Sequence, residues 1–145
     1  MHHEETYEIT WLVRRLFRAM AERSNDRLVE FDISAADRAV LEFLYPDELL
    51  SVPEIADRYD VSRQHVQVTV NRLTGKGLVV AKTNPRHKRS SLIRLTPAGK
   101  RLFSRVIKND RKLITGLFAG IHGDKVRATR DTLQILNERL NEGEN

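Results

Sequence analysis

The chain of 145 residues contains no cysteine. Disulfide staples, zinc–thiolate centres and thiol redox switches are therefore excluded. It has no apolar run near the roughly 20 residues that a membrane span requires. No charged n-region followed by an apolar core opens the chain, so a secretory signal is not expected. The expectation is a soluble cytoplasmic protein of one domain, long enough to bury a core without covalent help. His2 and His3 at the start fit a tag remnant or native sequence equally well. Gly-rich phosphate loops, nucleophile elbows and coherent carboxylate pairs are missing. His65, His87 and His122 lack metal-ligand spacing. Neither an enzyme nor a metal or cofactor site is expected.

The most informative absence is local. Residues 61–109 hold 12 basic and no acidic residues, a net charge of +12. Residues 1–60 carry −7, residues 110–145 are neutral, and the whole chain is +5. Ordinary surfaces mix the two signs, because like charges repel in the folded state. A block that tolerates this repulsion suggests a polyanionic partner, nucleic acid or an anionic membrane surface.

Helical periodicity marks residues 7–30, where Ile9, Leu12, Val13, Leu16, Phe17 and Met20 share a stripe. Ser34 caps a second helix with Asp37 in its first turn, and Tyr45-Pro46-Asp47 ends it. Ser51-Val-Pro53-Glu54 is a capping box with Pro in the first turn, starting a helix over 52–59. After the turn Asp60-Val61, Ser62 caps another helix to about Thr74, with Gly75 and Gly77 available to end it. Two helices joined by a tight turn outline a helix-turn-helix. Residues 78–82 and 92–95 are strand-like and flank the polar stretch "TNPRHKRSS" as a hairpin. Thr96-Pro97 opens a long helix to about Phe118, Gly120 to Gly123 breaks it, and a last helix covers about 124–141. The final "NEGEN" is expected to fray. A helix-turn-helix followed by a hairpin is a winged helix, and the basic block covers its second helix, its hairpin and the start of the next helix.

The text "SVPEIADRYDVSRQHVQVTVNRLTGKGLVVAKTNPRHKRSSLIRLTPAG" strongly resembles the MarR family of winged helix-turn-helix transcriptional regulators. The helix "VSRQHVQVTVNRL", the exit "GKGLV" and the "R…LTPAG" entry into a long helix carry the likeness. The resemblance implies a mainly α fold with a small β-hairpin wing. Residues 33–96 would be the DNA-binding lobe, with dimerisation helices over 1–32 and 97–145. It implies a homodimer on double-stranded DNA, acting as a repressor at a pseudo-palindromic operator. A small aromatic or phenolic anion would release it. The alternatives are a sequence-neutral architectural DNA binder and a winged helix used for protein contact.

On the helix from Ser62, Val66, Val70 and Leu73 face the core, with Thr69 where the family usually has a larger apolar residue. The other face offers Arg63, Gln64, Gln67, Val68 and Asn71 to a major groove. Arg suits guanine, Gln and Asn suit adenine, and Val68 suits a thymine methyl. Ser62 both caps and can reach a phosphate. Lys76 is a candidate phosphate contact. Arg72 is either a phosphate contact or a partner for a carboxylate of the acidic block. In the wing, Arg89 matches the family's minor-groove Arg, and Arg86 and Lys88 are candidate phosphate contacts. Asn84 and His87 stand where the family commonly has Asp, the second of which braces the wing Arg. The effector-pocket candidates are Trp11, Arg15, Phe43, Tyr45 and His65, with core packing, capping or, for Trp11, a dimer interface as the competing roles.

Overall fold

The computed structural model describes residues 3–143. Its elements run α1 His3–Glu30, α2 Ala35–Leu44, β1 Leu50–Ser51, α3 Val52–Tyr59, α4 Arg63–Gly75, β2 Val79–Lys82, β3 Leu92–Leu95, α5 Pro97–Phe118 and α6 Gly123–Glu142. The chain divides into two compact units, one up to Lys108 and one from Asn109 onward. The fold is mostly helical with one small sheet, as the sequence implied.

The first unit holds the core. Val40, Leu41 and Leu44 of α2, Ile55 of α3, and Val66, Val70 and Leu73 of α4 are buried together with Val79, Ile93, Leu95 and Phe103. The helix starts follow from local chemistry. The Ser34 hydroxyl accepts from the Asp37 amide at 3.1 Å while the Asp37 carboxylate accepts from the Ser34 amide at 2.9 Å. Such a reciprocal box satisfies two amides that a helix start leaves unpaired. Ser51 and Glu54 repeat the device at α3. Ser62 caps α4 by accepting from the His65 amide at 3.1 Å. Asp60, between α3 and α4, is left-handed at φ 56°, which gives the tight turn of the helix-turn-helix.

The sheet has three antiparallel strands in the order β1-β3-β2, with Leu50 opposite Ile93 and Val79 opposite Leu95. β1 is absent from the sequence reading. It is two residues long, and it exists because β3 lies beside it rather than through any run of its own.

Gly77, at φ +71°, supplies the left-handed residue after α4. Gly75 instead closes the helix as its last residue. Gly99 has a different role. A Cβ there would stand 2.0 Å from the Leu78 carbonyl oxygen, so only Gly lets the first turn of α5 press against the entry to β2. Thr96 joins the same seam, donating from Oγ1 to the Gly77 carbonyl at 2.6 Å and accepting from the Gly99 amide at 3.1 Å.

Some helix ends differ from expectation. α1 begins at His3, where Glu4 and Glu5 complement the positive end of the helix. α6 starts at Gly123 and runs through Glu142, so the first part of "NEGEN" is helical and not frayed. Glu144, Asn145, Met1 and His2 lie outside the described residues. Among the described residues no helix is long and apolar enough to cross a membrane.

Candidate nucleic-acid interface

α4 carries its apolar residues on one side. Val66, Val70 and Leu73 are buried, and Thr69 is buried with its hydroxyl donating to the His65 carbonyl at 3.1 Å. This bond explains how a Thr occupies a core position without an unsatisfied polar group. The helical period then leaves Arg63, Gln64, Gln67, Val68 and Asn71 exposed. Val68, an apolar side chain, is 55% exposed.

A groove of about 640 Å³ joins this face to the wing. Arg63, Gln64, Gln67 and Asn71 line it from α4, and Arg89 lines it from the wing. Residues named from widely separated stretches thus meet in one concavity. Val52 and Pro53 at the start of α3, Thr74, and Ser90 and Ser91 also line it. The sequence reading missed these five. The capping box at Ser51 was a usable signal, because it places a helix N-terminus, with its positive end, next to the groove.

The wing stretch between β2 and β3 is held by backbone and Asx chemistry. Asn84 Oδ1 accepts from the Arg86 amide at 3.0 Å, and the His87 carbonyl accepts from the Ser90 amide at 3.3 Å. Asn84 therefore shapes the loop as a turn-former, which needs an acceptor oxygen and not a charge. Arg86, His87, Lys88 and Arg89 are exposed, and among the described residues none of the four makes an ion pair.

The far end of α4 is different. Arg72 donates to Asp37 Oδ1 from Nε at 2.9 Å and from Nη2 at 2.6 Å, and Nη2 also reaches Ser34 Oγ at 3.4 Å. Of the two roles open for Arg72, the carboxylate partner is the one the fold uses. Burial pushes the Asp37 carboxyl up. The Arg72 hydrogen bonds, the Ser34 amide and the Arg72 charge outweigh it and hold the group below its ordinary value. Lys76 donates to the Asp32 carbonyl and lies 3.5 Å from its carboxylate. In the unbound chain Lys76 thus has a partner on the α1–α2 turn. Lys100 likewise pairs with Asp47.

The five effector-pocket candidates fall into three contacts. The Arg15 guanidinium lies 4.6 Å from the Trp11 ring centroid on α1. Phe43 and His65 flank Tyr59, with ring centroids 6.1 Å and 6.4 Å from it. Tyr45 packs against Phe103 at 5.2 Å.

Comparison with known proteins agrees with this geometry. Residues 31–90 match the family model of the MarR family. Uncharacterized proteins of Mycobacterium tuberculosis and Mycobacterium bovis are 28% identical over 130 residues, covering 90% of this chain and 85% of theirs. Among solved structures, a MarR family transcription regulator superposes with a TM-score of 0.88 at 19% identity, covering 96% of this chain and 92% of its own. A MarR family protein from Bacillus stearothermophilus gives 0.84 at 18%, covering 97% and 99%. MarR from Staphylococcus aureus, solved with salicylate and kanamycin, gives 0.84 at 19%, covering 97% and 95%. The matched segment spans the helix-turn-helix and most of the wing, and over nearly its whole length the chain shares the winged-helix fold of these MarR-family structures.

Proposed function

We infer that the chain acts as a homodimeric repressor that reads a pseudo-palindromic operator. One observation carries the reading: Arg63, Gln64, Gln67 and Asn71 of α4 line a single groove with Arg89 of the wing. The amides and Arg63 suit base edges of the major groove, while Arg89 suits the negative potential of a narrow minor groove. Ser62, Arg86 and Lys88 are placed for phosphates, which position the protein without reading sequence. Val68 meets a thymine methyl.

The dimer reading draws on unpartnered apolar surface. On α1, Leu12, Leu16 and Phe17 are exposed, Phe17 at 75%. In the second unit Leu117, Phe118, Leu133 and Leu136 are exposed as well. Apolar surface on this scale marks an interface, and a two-fold dimer is the commonest closed assembly. The helices of residues 1–32 and 97–145 would supply it. Half-sites would then lie about 34–36 Å apart, one turn of duplex. The S. aureus MarR structure holds salicylate, which supports a small aromatic anion as the releasing ligand, with Trp11, Arg15, Phe43, Tyr45 and His65 as candidates to meet it.

Selection of bound duplexes from a random pool at physiological salt tests this directly. A palindrome with half-sites one turn apart is expected. Recovery of no consensus, with affinity set by salt alone, would make the protein a sequence-neutral architectural binder instead.

A further inference from the structure

Gln67 and Asn71 are amide side chains of the reading face one turn apart on α4. Both are exposed and both line the groove. They are joined: Gln67 Nε2 donates to Asn71 Oδ1 at 2.8 Å. Amide pairs at this helical spacing bond each other readily. The bond fixes which atoms remain for an outside partner. Gln67 keeps its carbonyl oxygen and one N–H. Asn71 keeps its Nδ2 hydrogens, while its carbonyl oxygen is turned back along the helix.

The Gln67 remainder is one acceptor beside one donor. In the major groove, adenine presents the complement, a donor at N6 beside an acceptor at N7. Guanine presents acceptors at both O6 and N7, so the Gln67 carbonyl oxygen would face another acceptor. Cytosine offers only a donor, and thymine an acceptor beside a methyl group. A free Gln could rotate its amide to suit several of these edges. A tethered Gln has that choice removed, and less side-chain freedom is lost on binding.

We propose that Gln67 reads adenine at one position of each half-site, and that Asn71 is a positioning residue that sets the orientation of the Gln67 amide instead of reading a base itself. The inference deepens the reading of this face as a DNA-reading surface and rests on it.

The test uses the full-length protein and duplexes carrying the consensus selected from a random pool. The adenine assigned to Gln67 is the consensus position whose preference Gln67→Ala erases. Replacing this adenine by guanine should weaken wild-type binding roughly tenfold or more, and 7-deazaadenine, which lacks the N7 acceptor, should weaken it several-fold. Asn71→Ala should reduce the adenine-over-guanine ratio at that same position by roughly threefold to tenfold. Asn71→Asp keeps the acceptor oxygen and should restore the ratio even as its charge lowers affinity for every duplex. The double variant should discriminate no worse than Gln67→Ala alone. Both side chains are exposed, so thermal unfolding of the variants should match wild type. If Asn71→Ala relaxes a different base position, or lowers affinity equally for all sequences, Asn71 is a reader or a phosphate contact and the proposal is wrong. Recovery of no consensus by the wild-type protein would overturn the sequence-specific reading as well, which separates the two failures.

Discussion

Seven of the 12 cations in the acid-free block fall into two groups that composition does not distinguish. Arg72, Lys76 and Lys100 reach back to Asp37, Asp32 and Asp47 in the acidic N-terminal block. Arg63, Arg86, Lys88 and Arg89 are exposed and, among the described residues, make no ion pair. Helix α4 contains the contrast within one element, with an open first half and a tied end. The same residue types thus serve two ends: one set pairs the end of α4 and the start of α5 with acids of the N-terminal block, and the other is left uncompensated where a polyanion would bind. The charge asymmetry between the blocks is therefore an internal fit as well as a signal for a partner.

The largest effect that would break this contrast is on Asp37. It is 1% exposed and receives both Arg72 nitrogens and the Ser34 amide. Asp37→Ala should lower unfolding stability in urea by about 2–3 kcal/mol, less than a fully buried pair would lose because Arg72 stays partly solvated. Next is Arg89→Ala, which should weaken duplex binding roughly tenfold while leaving the urea midpoint unchanged. A shift of that midpoint in Arg89→Ala would place the residue with the tied set.

Acid should act on the tied set through Asp37. Its folded-state pKa lies below the ordinary value, so its contribution to stability is fully present above the unfolded value near 3.8. That contribution is lost as pH falls through the folded value. Denaturant midpoints measured from pH 6 downward should therefore fall less in Asp37→Asn than in wild type over this acid range. The smallest effect is expected for Lys76→Ala. Its carboxylate partner is almost wholly in solvent, so neither the urea midpoint nor duplex affinity should move as far as in the preceding variants.

Much of the lobe was legible because its signals are local. Ser34, Ser51 and Ser62 announce helix starts within four residues of sequence, and the wing strands flank a polar stretch rich in turn formers. The candidate readers on α4 followed from helical period alone, and the structure gathers Arg63, Gln64, Gln67 and Asn71 with Arg89 in one groove. What could not be read depends on distant neighbours. β1 is strand only because Leu50 meets Ile93. The need for Gly at position 99 comes from the Leu78 carbonyl pressed against it. The partner of Lys76 lies 44 residues away. The Gln67–Asn71 bond is local, but helical spacing lets Gln67 pair with Gln64 as well, and the structure shows which pair is joined.

The salt dependence of duplex binding tests the division between open and tied cations most directly. Each phosphate that a variant no longer neutralises should lower the slope of log affinity against log salt by roughly 0.9. A variant with Arg86, Lys88 and Arg89 changed to Ala should show a clearly shallower slope than wild type. Lys76→Ala should keep the wild-type slope. An equal reduction of slope in both variants would show that Lys76 leaves Asp32 for the DNA, and the division would not hold.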